Sequence, residues 1–258
     1  NDNWGGSYNT AIGLCALKSN TTGCFNVAIS RCALQCNTTG FSNVAVGSTS
    51  LQYNTTGVRN VAIGESSLRD NTIGGYNTAL GYTTLLNNTA GNYNHGVGFG
   101  ALYDNTTGSN NTAIGCWALC ANTTSGHNTA IGSQALRNNT TGSNNTAIGL
   151  SALQCNLSGH HSIAIGANSL RCSVGVGYNT ALGNLALCNN STGCFNFAAG
   201  FQTACSNTTG SNNIAMGCNA LRDNTTGSHN ISLGRQSLQN ALSGVDNFAA
   251  GQNALRSN

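Results

Sequence analysis

The stretch NTTGSNNTAIG at residues 105–115 returns letter for letter at residues 139–149, 34 positions further on. Halving that interval gives the period of the chain. Rows of 17 started at Asn9, Asn26, Asn43 and every 17 residues thereafter open with Asn everywhere except Ser162, with no insertion or deletion. The shared row reads N-T-A-I-G-x-x-A-L-x-x-N-T-T-G-S-N. Its fifth column is Gly except at Ser30, and its ninth is Leu except at Ala204. Residues 1–8 read as the end of a preceding row, with Asn3 and Gly6 in an Asn and a Gly column.

A unit of 17 residues is too short for a helical-hairpin repeat, which needs about 33 or more. Its β-branched residues, set between Asn-Thr and Gly punctuation, mark short strands joined by tight turns. The reading is an all-β parallel β-solenoid of about fifteen coils, forming a single domain over residues 1–258. Equivalent residues in stacked coils lie about 4.8 Å apart, so an invariant row length keeps every column aligned, and fifteen coils would extend roughly 70 Å.

Charged residues make up 6% of the chain and the formal net charge is +3. That balance argues against a nucleic-acid partner, and no apolar run is long enough for membrane insertion in this segment. With no signal peptide and no initiating Met, the chain reads as mature or partial, with targeting information outside it.

Alternation in a three-residue strand places columns two and four on one face. We expect that face, for example Val27 and Ile29 or Thr112 and Ile114, to point into the coil with the Leu of column nine, giving a thin core. Columns one and twelve are expected to form Asn ladders at two corners, because Asn tolerates left-handed turns and stacked amides bond along the axis; Gly takes two further corners. Column three is then solvent-facing yet almost uniformly Ala. That pattern predicts a chain-to-chain contact at Ala11, Ala28, Ala45, Ala62, Ala79, Ala113, Ala130 and Ala147, the other reading being small residues that fit a cramped corner. Column ten carries Lys18, Arg69, Arg137, Arg171, Arg222 and Arg256, read as a solvated edge that discourages lateral aggregation.

Twelve Cys fall into the same frame. Cys15 and Cys32 share column seven of adjacent rows, Cys155 and Cys172 column eleven, and Cys188 and Cys205 column ten. Stacked neighbours lie within the Cα separation a disulfide requires, so these three pairs are predicted as coil-to-coil disulfides, which in turn implies an extracellular setting. Cys24, Cys36, Cys116, Cys120, Cys194 and Cys218 remain as free thiols or links between chains. His95, His127, His160, His161 and His229 lack metal-ligand spacing, so neither metal nor cofactor is expected. Column seventeen places Tyr8 over Phe25, Tyr76 over Tyr93 and Tyr178 over Phe195, as aromatic ladders.

Column twelve also matches the N-glycosylation acceptor pattern at Asn20, Asn37, Asn54, Asn105, Asn122, Asn139, Asn156, Asn190, Asn207 and Asn224. Anchors about 4.8 Å apart would crowd the sugars. An inward ladder and an outward sugar compete for the same amide, and the ladder is favoured.

The phrases NTAIG, NVAIG and SIAIG, in the rows at Asn111, Asn60 and Ser162, resemble the head repeats of YadA-like trimeric autotransporter adhesins. The NTTGxxNTAIGxxAL array is also similar to bacterial and phage fibre repeats. The resemblance covers all fifteen rows and is specific in the xAIG strand. It implies a left-handed β-roll, three chains about an axis and adhesion to a cell surface or glycan. The row is longer than that of the adhesin heads, and the cysteines depart from their pattern.

The leading expectation is therefore a non-catalytic extracellular structural protein, a segment of a self-assembling filament. A trimeric adhesin or tail-fibre head is the alternative. Ice binding through the Thr of columns thirteen and fourteen is a minor one, because that array is interrupted at Leu157, Val174, Ser191 and Leu242. An enzyme is not expected: the only carboxylates, Asp2, Glu65, Asp70, Asp104, Asp223 and Asp246, show no converging pair.

Overall fold

A computed structural model describes residues 5–175 and 177–257. Every row supplies one three-residue strand, and the described residues contain no helix. The chain divides into two compact units, Asn1–His127 and Asn128–Asn258. The first carries seven strands, from β1 (Thr10–Ile12) to β7 (Thr112–Ile114), and the second eight, from β8 (Thr129–Ile131) to β15 (Phe248–Ala250). Each unit is a parallel β-solenoid. Within a unit, successive strands pair in parallel one row apart, as in Val44↔Val61, Ala45↔Ala62 and Val46↔Ile63 of the first and Thr129↔Thr146, Ala130↔Ala147 and Ile131↔Ile148 of the second.

The face of the strand is the reverse of the one expected from the sequence. Ala28, Ala45, Ala62, Ala79, Ala113, Ala130 and Ala147 are fully buried, whereas Ile63 in column four remains 44% exposed. Columns two and four therefore point outward. Alternation dictates that these two columns share a face but not which face is inside, and the narrowness of the coil decides it. A Cβ built on Gly96, the column-three residue of its coil, would lie 2.6 Å from Thr84 Cγ2 and 3.6 Å from Leu85 Cδ1. Column three is thus held against columns eight and nine, where nothing larger than a methyl group fits, and beside Thr84 a methyl would already clash. The seven buried alanines contact their own coil and are not a surface for another chain; Ala11, in β1, is exposed.

The core consists of the column-three Ala, the small residues of column eight and the Leu of column nine. Ala33, Leu34, Ser50, Leu51, Ser67 and Leu68 are all at 0% exposure. A fully buried Leu contributes on the order of 2 kcal/mol, so one per coil anchors the stack.

Turning is done by residues that the sequence reading did not select. Positive φ recurs at columns seven, nine and seventeen, as at Cys32 (57°), Leu34 (50°) and Phe25 (60°), but not at the Asn of columns one and twelve. Left-handed Leu is unfavourable by about 1–2 kcal/mol, and burial of its side chain in the stacked core offsets that cost. Glycine is required for two different reasons. Gly64 in column five has φ +131°, and a Cβ there would meet Gly81 O at 2.4 Å. Gly57 in column fifteen has no positive φ, but its Cβ would lie 2.3 Å from Asn54 Oδ1. Ser30 occupies column five of its coil at φ 112°, a strained setting for any residue with a side chain.

Candidate functional surface

Two Asn ladders satisfy most of the interior side-chain polar groups. In column twelve, Asn54 Nδ2 donates to Asn37 Oδ1 of the preceding coil at 2.8 Å and to Gly57 O of its own coil at 3.0 Å. In column one, Asn43 Nδ2 donates to the same Gly57 carbonyl at 2.8 Å, while its backbone N–H donates to Asn26 Oδ1 at 3.0 Å. One column-fifteen carbonyl, from Gly in most coils and from Ser125 in another, therefore joins the two ladders, which explains why the Asn of columns one and twelve vary so little. Asn71 and Asn88 continue the column-twelve ladder although neither fits the acceptor pattern.

The ten column-twelve acceptor candidates, Asn20, Asn37, Asn54, Asn105, Asn122, Asn139, Asn156, Asn190, Asn207 and Asn224, are at most 1% exposed. With their amides buried in the coil, the folded chain leaves no room for a sugar at these positions. Ladder and glycan compete for one atom, and the ladder holds it.

Column thirteen is equally committed. Thr38 Oγ1 donates to Thr55 O of the next coil at 3.0 Å, and the same carbonyl accepts the backbone N–H groups of Thr38, Thr39 and Gly40. Of the paired Thr columns proposed for ice, the fourteenth, including Thr39 and Thr56, is the more exposed.

The outward strand columns form an apolar face on each unit. In the first unit it exposes Ile12, Ile63, Val97 and Ile114; in the second, Ile163, Ile165, Ile214, Met216 and Phe248. Column four is apolar in every coil, whereas column two carries Thr in six coils and His95 in another, so on each unit the apolar surface is a stripe along column four, widened where column two is Val, Ile or Phe. Beside it, column seventeen stacks its rings as expected. Tyr8 and Phe25 have centroids 5.0 Å apart, Tyr76 and Tyr93 4.8 Å, and Tyr178 and Phe195 5.1 Å, with His161 stacked on Tyr178. Arg59 lies over both Phe41 and Tyr76 and hydrogen-bonds the Tyr76 hydroxyl.

Arg69 and Arg222 each pair with the next residue, Asp70 and Asp223, at 2.7 Å. These half-exposed pairs draw the column-ten cations along the edge and add little stability. Asp104 accepts from Asn87 Nδ2 at 3.0 Å. Asp2 lies outside the described residues. Among those described, no group of three or more His, Cys, Asp and Glu side chains is arranged for a metal ion, and no pocket is present.

All twelve cysteines are thiols in this structure, including the three in-column pairs for which disulfides were expected. Stacking in register places Cys15 beside Cys32 and Cys155 beside Cys172 in adjacent coils, and Cys188 Sγ lies 3.1 Å from Cys205 Sγ. Of the other six, Cys116 is exposed and Cys24, Cys36, Cys120, Cys194 and Cys218 are half-buried. Burial, with Cys32 nearby, raises the Cys36 thiol pKa, and burial with Cys172 nearby raises that of Cys155.

Neither the known protein families nor the curated proteins contain a match to this chain.

Proposed function

We propose that the chain is a non-catalytic, extracellular structural protein that self-assembles into a filament. The observation that carries this reading is the exposed apolar strand face. The interior hydrogen bonds are committed to stacking, and the apolar column four, with the Val, Ile and Phe of column two beside it, is the surface we assign to association. A parallel sheet exposing an apolar face to water is unusual, because such sheets are ordinarily covered on both sides. Low charge and stacked cysteine columns suit a durable extracellular material.

The same face supports a second reading, a trimeric adhesin or tail-fibre head of the YadA-like kind, in which three copies cover their strand faces about an axis. Electron microscopy of the protein at increasing concentration separates the two. Growing filaments support the structural role, and discrete trimers of fixed size support the head. A monodisperse monomer at high concentration contradicts both. Ice binding is a minor reading, resting on column fourteen alone, and thermal hysteresis indistinguishable from zero disposes of it.

A further inference from the structure

Four successive coils of the second unit carry a cysteine on the same edge: Cys155 and Cys172 in column eleven, then Cys188 and Cys205 in column ten. The main chain holds the last two coils together at this point, with Asn189 N–H donating to Cys205 O at 3.1 Å, while Cys172 N–H donates to Cys188 O at 3.0 Å. The Cys188 and Cys205 sulfurs are 3.1 Å apart and both side chains are half-buried, reachable from solvent. We propose that Cys188 and Cys205 form a thiol–disulfide exchange site, with Cys205 as the attacking sulfur, Cys188 as the resolving sulfur, and a low-molecular-weight disulfide as the oxidant.

The surroundings give the two sulfurs different roles. A hydrogen bond from Cys188, opposed by burial but assisted by the Arg222 guanidinium, lowers the Cys205 thiol to about 7, against the opposing charge of Asp223. The hydrogen bond to Cys205, with burial and the charges of Cys205 and Cys172, raises the Cys188 thiol, and Arg171 only partly counters this. Of the two sulfurs, Cys205 is the one that ionises first, with Cys188 3.1 Å away to hold the remaining proton.

The chemistry follows. The Cys205 thiolate attacks one sulfur of glutathione disulfide; the S–S bond breaks, one glutathione leaves and takes up a proton, and a Cys205 mixed disulfide remains. Cys188 then loses its proton to solvent and attacks the Cys205 sulfur, expelling the second glutathione as a thiol. The protein dithiol is oxidised by two electrons and one small disulfide is reduced to two thiols. At pH 7 a thiol with pKa near 7 is roughly fiftyfold more ionised than one at 9, and its lower intrinsic nucleophilicity removes about tenfold, leaving an advantage of about fivefold.

The test uses the full reduced chain, glutathione disulfide at pH 7, quenching by alkylation at timed intervals and peptide mapping by mass spectrometry. The Cys188–Cys205 bond should form first, roughly fivefold faster than any other pair. Cys188→Ser should accumulate glutathione on Cys205, whereas Cys205→Ser should leave Cys188 reacting no faster than the other thiols. Circular dichroism on both variants checks that the coils remain. Even labelling of all twelve thiols, an earlier bond elsewhere, or equal trapping at Cys188 and Cys205 in the two variants overturns the assignment.

Discussion

The most constrained residues are the ladder asparagines, because each amide serves two coils. Replacing Asn54 with Ala leaves Asn37 Oδ1 without the Asn54 donor, strips one donor from Gly57 O and takes the acceptor from Asn71 Nδ2. Unsatisfied buried groups cost about 1–3 kcal/mol, so Asn54→Ala should destabilise by about 2–4 kcal/mol in denaturant titration. Exposed Asn138, which has no positive φ, replaced by Ala should stay within about 0.5 kcal/mol of the parent. The ladder also shows where it is interrupted. Column twelve is Ser173 and Ala241 in two coils, and the buried atoms left without a partner include Ser173 Oγ and Asn224 Oδ1, whose next rung would be residue 241. Ala241→Asn should supply the missing donor and raise stability by about 1 kcal/mol, read as a shift in the denaturation midpoint. The ladders could be read from the sequence because Asn recurs at a fixed period in two columns. The left-handed turn positions could not: Leu34 and Phe25 take positive φ against their own preference, and only the stacked neighbours enforce it.

At the scale of the strand, three residues give two faces and too little pattern to choose between them. The sequence made Ala62 look outward and Ile63 look inward, because large apolar residues ordinarily fill cores. The coil is so narrow that Ala62 fills it and Ile63 is displaced to the surface. Ala62→Leu should therefore overpack the coil and cost about 1–3 kcal/mol, while Ile63→Ala should cost less than about 1 kcal/mol. The opposite ranking, measured by thermal or chemical unfolding, would restore the original phase. A hint was available in column eight, where Ala, Ser and Thr sit beside the conserved-length Leu column. Two adjacent inward positions at columns eight and nine leave room opposite for nothing larger than Ala.

For the whole molecule, period and parallel stacking were legible from one repeated phrase, since 17-residue spacing without a single slip has few other physical explanations. The proposed contact surface was not, because it depends on the strand phase that the sequence left open. Serine at Ile63, Ile114, Ile163 and Ile214 together should leave the coils folded and weaken association at least tenfold, measured by sedimentation velocity. If association is unchanged, the strand face is not the contact. The central claim is that the outward apolar strand columns of one copy are covered by another copy in an assembled structural protein. Cryo-electron microscopy of the assembled protein tests it most directly. The account predicts an axial repeat of about 4.8 Å with columns two and four of neighbouring copies packed together. Single solenoids whose strand faces remain in solvent at high concentration would contradict it.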